Sequence, residues 1–183
     1  MNAKGITLVE SLIGVSIVLI SVTGASSLFR AISAQQRTSD VAAVLSTIQT
    51  NITAAVQNTD AWNNIVAANP TMACLPGPCP NFFGGTAVPP MKIFIYDIAT
   101  SAFQPYDSNS ATSGFGKNGK ICDSYSAAGN DACPIKAVIN WGAADNDDPT
   151  FTGGIVRVRV VFSYSPSSGV RLNTSRYNFN VLR

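Results

Sequence analysis

The chain has 183 residues, a formal charge of +2, only 12% charged side chains and no histidine. So small a net charge offers no field to hold nucleic acid or an acidic substrate, and the missing imidazole excludes Ser-His-Asp and Cys-His catalysis and His-ligated zinc. No pair of carboxylates with a supporting base emerges either, so the sequence does not read as an enzyme and implies no cofactor.

The N-terminus reads Lys4-Gly5-Ile6-Thr7-Leu8-Val9-Glu10, and from Ser11 to Phe29 no side chain is charged until Arg30 closes the run. Nineteen residues in a helix reach about 28 Å, close to the hydrocarbon thickness of a bilayer. Glu10 heads this run and is the only glutamate in the chain. A carboxylate in or at a membrane costs on the order of several kcal/mol unless partnered. None of Ile6, Thr7, Ile13 and Gly14, its neighbours at helical spacing, is cationic. Its partner must be a chain terminus, a lipid head group or another molecule. A secretory signal peptide cut near Ala31-Ile32-Ser33 is the rival reading. Against it, Glu10 falls at the head of the apolar region and the helical pattern runs through the cut.

After Arg30 the apolar residues Val41, Val44, Leu45, Ile48, Ile52 and Val56 mark one face of an amphipathic helix. No proline occurs before Pro70, so the pattern predicts one helix from Ile6 to about Asn58. Gly14 and Gly24 are its weak points, each costing about 1 kcal/mol relative to alanine. Residues 58–90 hold six prolines and paired glycines and read as irregular. Strands are predicted at Met91–Ile98 and Ile135–Trp141, with 99–134 rich in loops. Ile155–Tyr164 alternates most cleanly, and Val170–Leu182 returns as its antiparallel partner with Tyr177, Phe179 and Val181 on one face. The layout is α+β: a long N-terminal helix with an apolar first half, packed on a C-terminal antiparallel sheet of three to five strands.

All four cysteines lie beyond residue 70, which suggests two disulfides formed in an oxidising compartment. The Leu-Pro-Gly-Pro insert favours Cys74–Cys79, leaving Cys122–Cys133, although two other pairings exist. A four-cysteine zinc site is disfavoured by the wide second spacing. Asp145-Asn146-Asp147-Asp148 is an oxygen-rich loop without the EF-hand pattern, so a solvated turn is favoured over a calcium site. Gly114-Phe-Gly116-Lys117-Asn-Gly119 spells a dinucleotide-type string, yet no clear strand precedes it and no amphipathic helix follows, so it reads as a flexible loop. Arg157, Arg159, Arg171 and Arg176 give the last hairpin a basic tint that reads as solvent-facing, and nucleic acid is not an expected partner.

Residues 4–10 resemble the leader and cleavage site of type IV pilins and pseudopilins, with Ile6 in place of the family's usual Phe. The resemblance implies residues 1–5 as a leader removed by prepilin peptidase between Gly5 and Ile6, with methylation of the new N-terminus. It implies 6–30 as a transmembrane and polymerisation helix, 31–57 as its amphipathic half and 58–183 as a disulfide-bonded β-sheet head. It further implies that Glu10 pairs with the amino group of Ile6 on a neighbouring subunit. Ile6, the Gly-Ile-Thr-Leu-Val-Glu-Ser opening and the two-loop head are most similar to minor pilins, which prime or cap a fibre serving motility or adhesion. A type II secretion pseudopilin and a single-pass membrane-anchored adhesin or binding module are the alternatives. The expected location is the bacterial inner membrane, with the head periplasmic, and then the assembled fibre. The expected partners are other pilin subunits.

Overall fold

A computed structural model describes residues 8–75, 77, 79–80, 90–143, 150–151, 155–167 and 172–183. Helix α1 spans Leu8–Gln57, 50 residues, and the chain divides into two compact units, Met1–Asp40 and Val41–Arg183. The first unit is helical throughout its described length. The second is α+β, as the periodicity predicts.

Within the second unit, α1 turns Leu45, Ile48, Ile52 and Val56 into the core, all fully buried. This is the predicted stripe. Helix α2 (Thr59–Ala68) follows at once, where the sequence reading expects irregular chain. Asn58 stops α1 and starts α2, because its side chain caps the new helix by accepting the Ala61 amide at 2.9 Å. Ala61 and Ile65, four apart, are α2's buried residues. A short 3-10 turn, Pro70–Met72, ends the segment.

The main sheet has five strands in the order β5-β4-β6-β8-β9: β4 (Gly114–Phe115), β5 (Ile121–Cys122), β6 (Ile135–Ala143), β8 (Val156–Tyr164) and β9 (Phe179–Leu182). Its centre is the antiparallel β6–β8 pair, registered from Ile135↔Tyr164 to Ala143↔Val156. One face of that pair, Ile135, Ala137, Ile139 and Trp141 with Val156, Val158, Val160 and Phe162, is buried, the expected alternation. It joins the α1 stripe in a single core cluster. Two small sheets complete the unit: β1 (Cys79–Pro80) with β7 (Thr150–Phe151), and β2 (Lys92–Asp97) with β3 (Ala102–Asp107).

Strand edges in this unit are repeatedly closed by side chains. The Tyr106 hydroxyl donates to the Ala137 carbonyl at 2.7 Å and accepts the Ala137 amide at 3.0 Å. Ser108 donates to the Ile139 carbonyl at 3.0 Å. Asn69 accepts the Lys92 amide and donates to the Lys92 carbonyl, at 2.8 and 2.7 Å. Tyr106 and Asn69 satisfy backbone groups that would otherwise sit buried or open to pairing, and Ser108 adds to the Met91 amide that the Ile139 carbonyl also accepts.

The last strand starts later than the expected Val170. Beside Phe162, Thr174 donates its hydroxyl to the carbonyl and Asn178 accepts the amide. Two side chains thus hold the ladder positions there, and main-chain pairing begins at Val160↔Phe179.

Candidate functional site

In the first unit, α1 carries Leu12, Ile13, Val15, Ile17, Val18, Leu19, Val22, Leu28, Phe29 and Ile32, each between 51% and 70% exposed. At 3.6 residues per turn these positions go round the whole circumference of the helix. A helix apolar on all sides is not a surface helix of a globular domain; it calls for a cover on every side. Three of its hydroxyls are already turned inward. Ser16, Thr23 and Ser26 donate to the carbonyls of Leu12, Leu19 and Val22 at 2.8, 3.0 and 2.8 Å. With these bonds made inside the helix, the side chains lose less on leaving water. Beyond its own helix backbone and chain neighbours, no atom of the described residues lies within 4 Å of where a Cβ on Gly14 would stand.

Among the described residues no helix is long and apolar enough to cross a membrane. The expected transmembrane segment, 6–30, extends beyond them. The run includes positions 20, 21, 24 and 27, whose side chains lie outside the described residues. Gly5 and Ile6 lie outside them too; Glu10 lies on α1 with its side chain outside them.

The cysteines pair as favoured. Cys74 bonds Cys79 and Cys122 bonds Cys133, with Cα separations of 5.1 and 6.0 Å. The second bridge ties β5 to the chain entering β6. The Gly114–Gly119 string is an ordered hairpin rather than a flexible loop. Phe115 pairs Ile121 across it, and the Gly119 amide donates to the Gly116 carbonyl at 2.9 Å. A Cβ on Gly119 would sit 3.9 Å from Val44, Thr47 and Ile48, so the hairpin tip rests on α1. Gly114 and Gly116 serve close packing, since a Cβ on either would stand within 3 Å of a neighbouring atom.

The acidic loop at 145–148 and Arg171 lie outside the described residues. Among the described residues no group of three or more His, Cys, Asp or Glu could hold a metal. Arg159 is exposed and Arg157 half-buried on the outer face of β8, while the Arg176 guanidinium lies 4.9 Å from the Tyr177 ring centroid. Lys136 donates to the Ser110 carbonyl and lies 5.4 Å over the Tyr125 ring. Burial pushes its pKa down and Asp107 opposes that.

One feature escapes the sequence reading. On the outer face of the β2–β3 hairpin, Tyr96 and Phe103 stand opposite each other and meet edge-on, 5.4 Å between ring centroids. Phe94 and Phe103 line an open cleft of about 470 Å³ with Asn64, Ala67 and Ala68 of α2. The signal is the alternation of Phe94 and Tyr96 against Ile93 and Ile95 in β2, but half of the cleft comes from α2, which reads as irregular chain.

The fold and these surfaces define an α+β chain with a helix apolar on all sides and a disulfide-stapled sheet domain. No known family model, curated protein or solved structure matches the chain.

Proposed function

We propose that the chain is a minor type IV pilin-like subunit that polymerises through α1 and helps to prime or cap a fibre. The observation that carries the reading is the all-round apolar surface of α1, headed in sequence by Lys4-Gly5-Ile6-Thr7-Leu8-Val9-Glu10. Such a surface needs lipid on every side or, after assembly, other helices of the same kind. Glu10 then supplies register. Its charge meets the amino group of Ile6 on the next subunit, which offsets the cost of taking a carboxylate into a dry bundle. The disulfides suit a domain that works outside the reducing cytoplasm.

The test is the mass of the mature N-terminus from cells that make the chain together with a prepilin peptidase. The expected chain begins at a methylated Ile6, and the Gly5→Ala variant keeps its leader. An unprocessed wild-type chain, or one cut near residue 31, overturns the reading.

A further inference from the structure

We propose that the cleft between α2 and the outer face of the β2–β3 hairpin binds a neutral sugar ring of a glycan. Its floor is Phe94 and Phe103, diagonal neighbours across the two strands. Tyr96, 51% exposed, braces Phe103 from the side. The α2 wall offers only small or amide side chains, Ala67, Ala68 and Asn64. Asn64 is exposed and its side chain makes no hydrogen bond among the described residues, so its amide has both a donor and an acceptor to offer.

These features select the occupant. Among the described residues no charged side chain lines the cleft, which disfavours phosphate, carboxylate and ammonium ligands. Against a strand-adding peptide, Asn69 already holds the β2 edge at Lys92, and β3 carries Pro105, which has no amide to donate. Among the described residues five line the cleft, far fewer than the roughly 20–30 a side of a stable protein interface. The cleft volume of about 470 Å³ falls instead within the range of small-ligand sites, about 300–1,000 Å³. What remains is a ligand with one apolar face and a rim of neutral hydroxyls. The electron-rich ring faces take the C–H side of a pyranose, and the Asn64 amide reads a hydroxyl pair.

The experiment uses the full chain in a non-glycosidic detergent, screened on a panel of neutral and acidic oligosaccharides, with hits titrated by calorimetry. The expected result is binding of neutral pyranosides with an affinity indifferent to added salt. Phe103→Leu, which keeps an apolar side chain but removes the ring, and Asn64→Ala, on an exposed helix position, should each weaken binding about tenfold or more. Both variants should keep the wild-type circular dichroism spectrum. No neutral sugar bound, a preference for acidic sugars, or affinity unchanged in both variants overturns the proposal. So does self-association of the wild type that Phe103→Leu abolishes, which would make the cleft a contact between copies. The result stands or falls independently of processing at Gly5.

Discussion

Tyr106 spends its single hydroxyl twice on one residue, donating to the Ala137 carbonyl and accepting the Ala137 amide. A phenol thereby stands in for a neighbouring strand at the edge of β6, inside the core and stacked on Phe115 at 4.5 Å. Tyr106→Phe would keep the ring and the stacking but leave two buried backbone groups without partners. The expected loss is about 1–3 kcal/mol, read from urea unfolding of wild type and variant.

The same residue predicts an alkaline weakness. Burial is the main cause that pushes the Tyr106 pKa well above its ordinary 10.0, with Tyr125 and Asp107 adding to it and the Ala137 bond opposing it. The folded state therefore holds the proton more tightly than the unfolded state. Below about pH 10 this gives no slope. Above it the unfolded phenol ionises while the folded one does not, and stability falls by up to about 1.4 kcal/mol per pH unit. Tyr106→Phe should remove that share of the slope; identical slopes in the two proteins would contradict the buried phenol.

Asn69 carries the junction between α2 and β2. Its amide bonds the Ile65 carbonyl at the end of the helix and both backbone groups of Lys92. Asn69→Ala removes all three bonds at a buried position and should cost about 2–3 kcal/mol. Asn69→Asp keeps the shape but faces two carbonyls with a carboxylate, and should cost no less. Faster hydrogen exchange at the Lys92 amide in both variants would locate the damage.

Two glycines should respond differently to alanine. A Cβ on Gly114 would stand 2.7 Å from the Ile135 carbonyl oxygen and 2.8 Å from Cys133 Sγ, so backbone and disulfide must both move. Gly119 has room, but its φ of +75° costs a side chain about 1–2 kcal/mol. Gly119→Ala should lower the melting temperature by several degrees, while Gly114→Ala should block folding to an oxidised, protease-resistant state. The reverse order would mean that the hairpin does not sit on β6 as described.

Glu10→Ala would test the anchoring and assembly tasks proposed for α1. If its carboxylate answers the Ile6 amino group of a neighbour, the variant remains in the membrane fraction yet is missing from sheared fibres. Normal incorporation would remove the charge pair from the account.

Long elements with an unbroken period were legible: α1, β6 and β8 were placed within a few residues of their observed ends. Shorter elements were masked by their neighbours. In α2, the Asn58 cap and the Ala61–Ile65 spacing are visible, but the prolines that follow drew the whole stretch towards irregular chain. In β3, Pro105 hides a strand that tolerates proline because it lies at a sheet edge. Contacts such as Tyr106 with Ala137, 31 residues apart, leave no local trace. For the candidate site the apolar run was plain, whereas the aromatic cleft required two elements that single-chain periodicity does not join.

Two ties join the end of α1 to the end of the chain. Gln49 donates to the Tyr177 carbonyl at 2.8 Å, and Arg183 donates to the Gln57 carbonyl at 2.8 Å while its guanidinium lies 5.9 Å from the Trp62 ring centroid. They come in the same order along the helix and along the chain on either side of β9. A pull on the helix therefore loads both ties at once rather than peeling them in turn, and passes into β9 and β8 as shear. Strands sheared along their length must break their hydrogen bonds together. By that geometry the two ties yield together rather than one after the other.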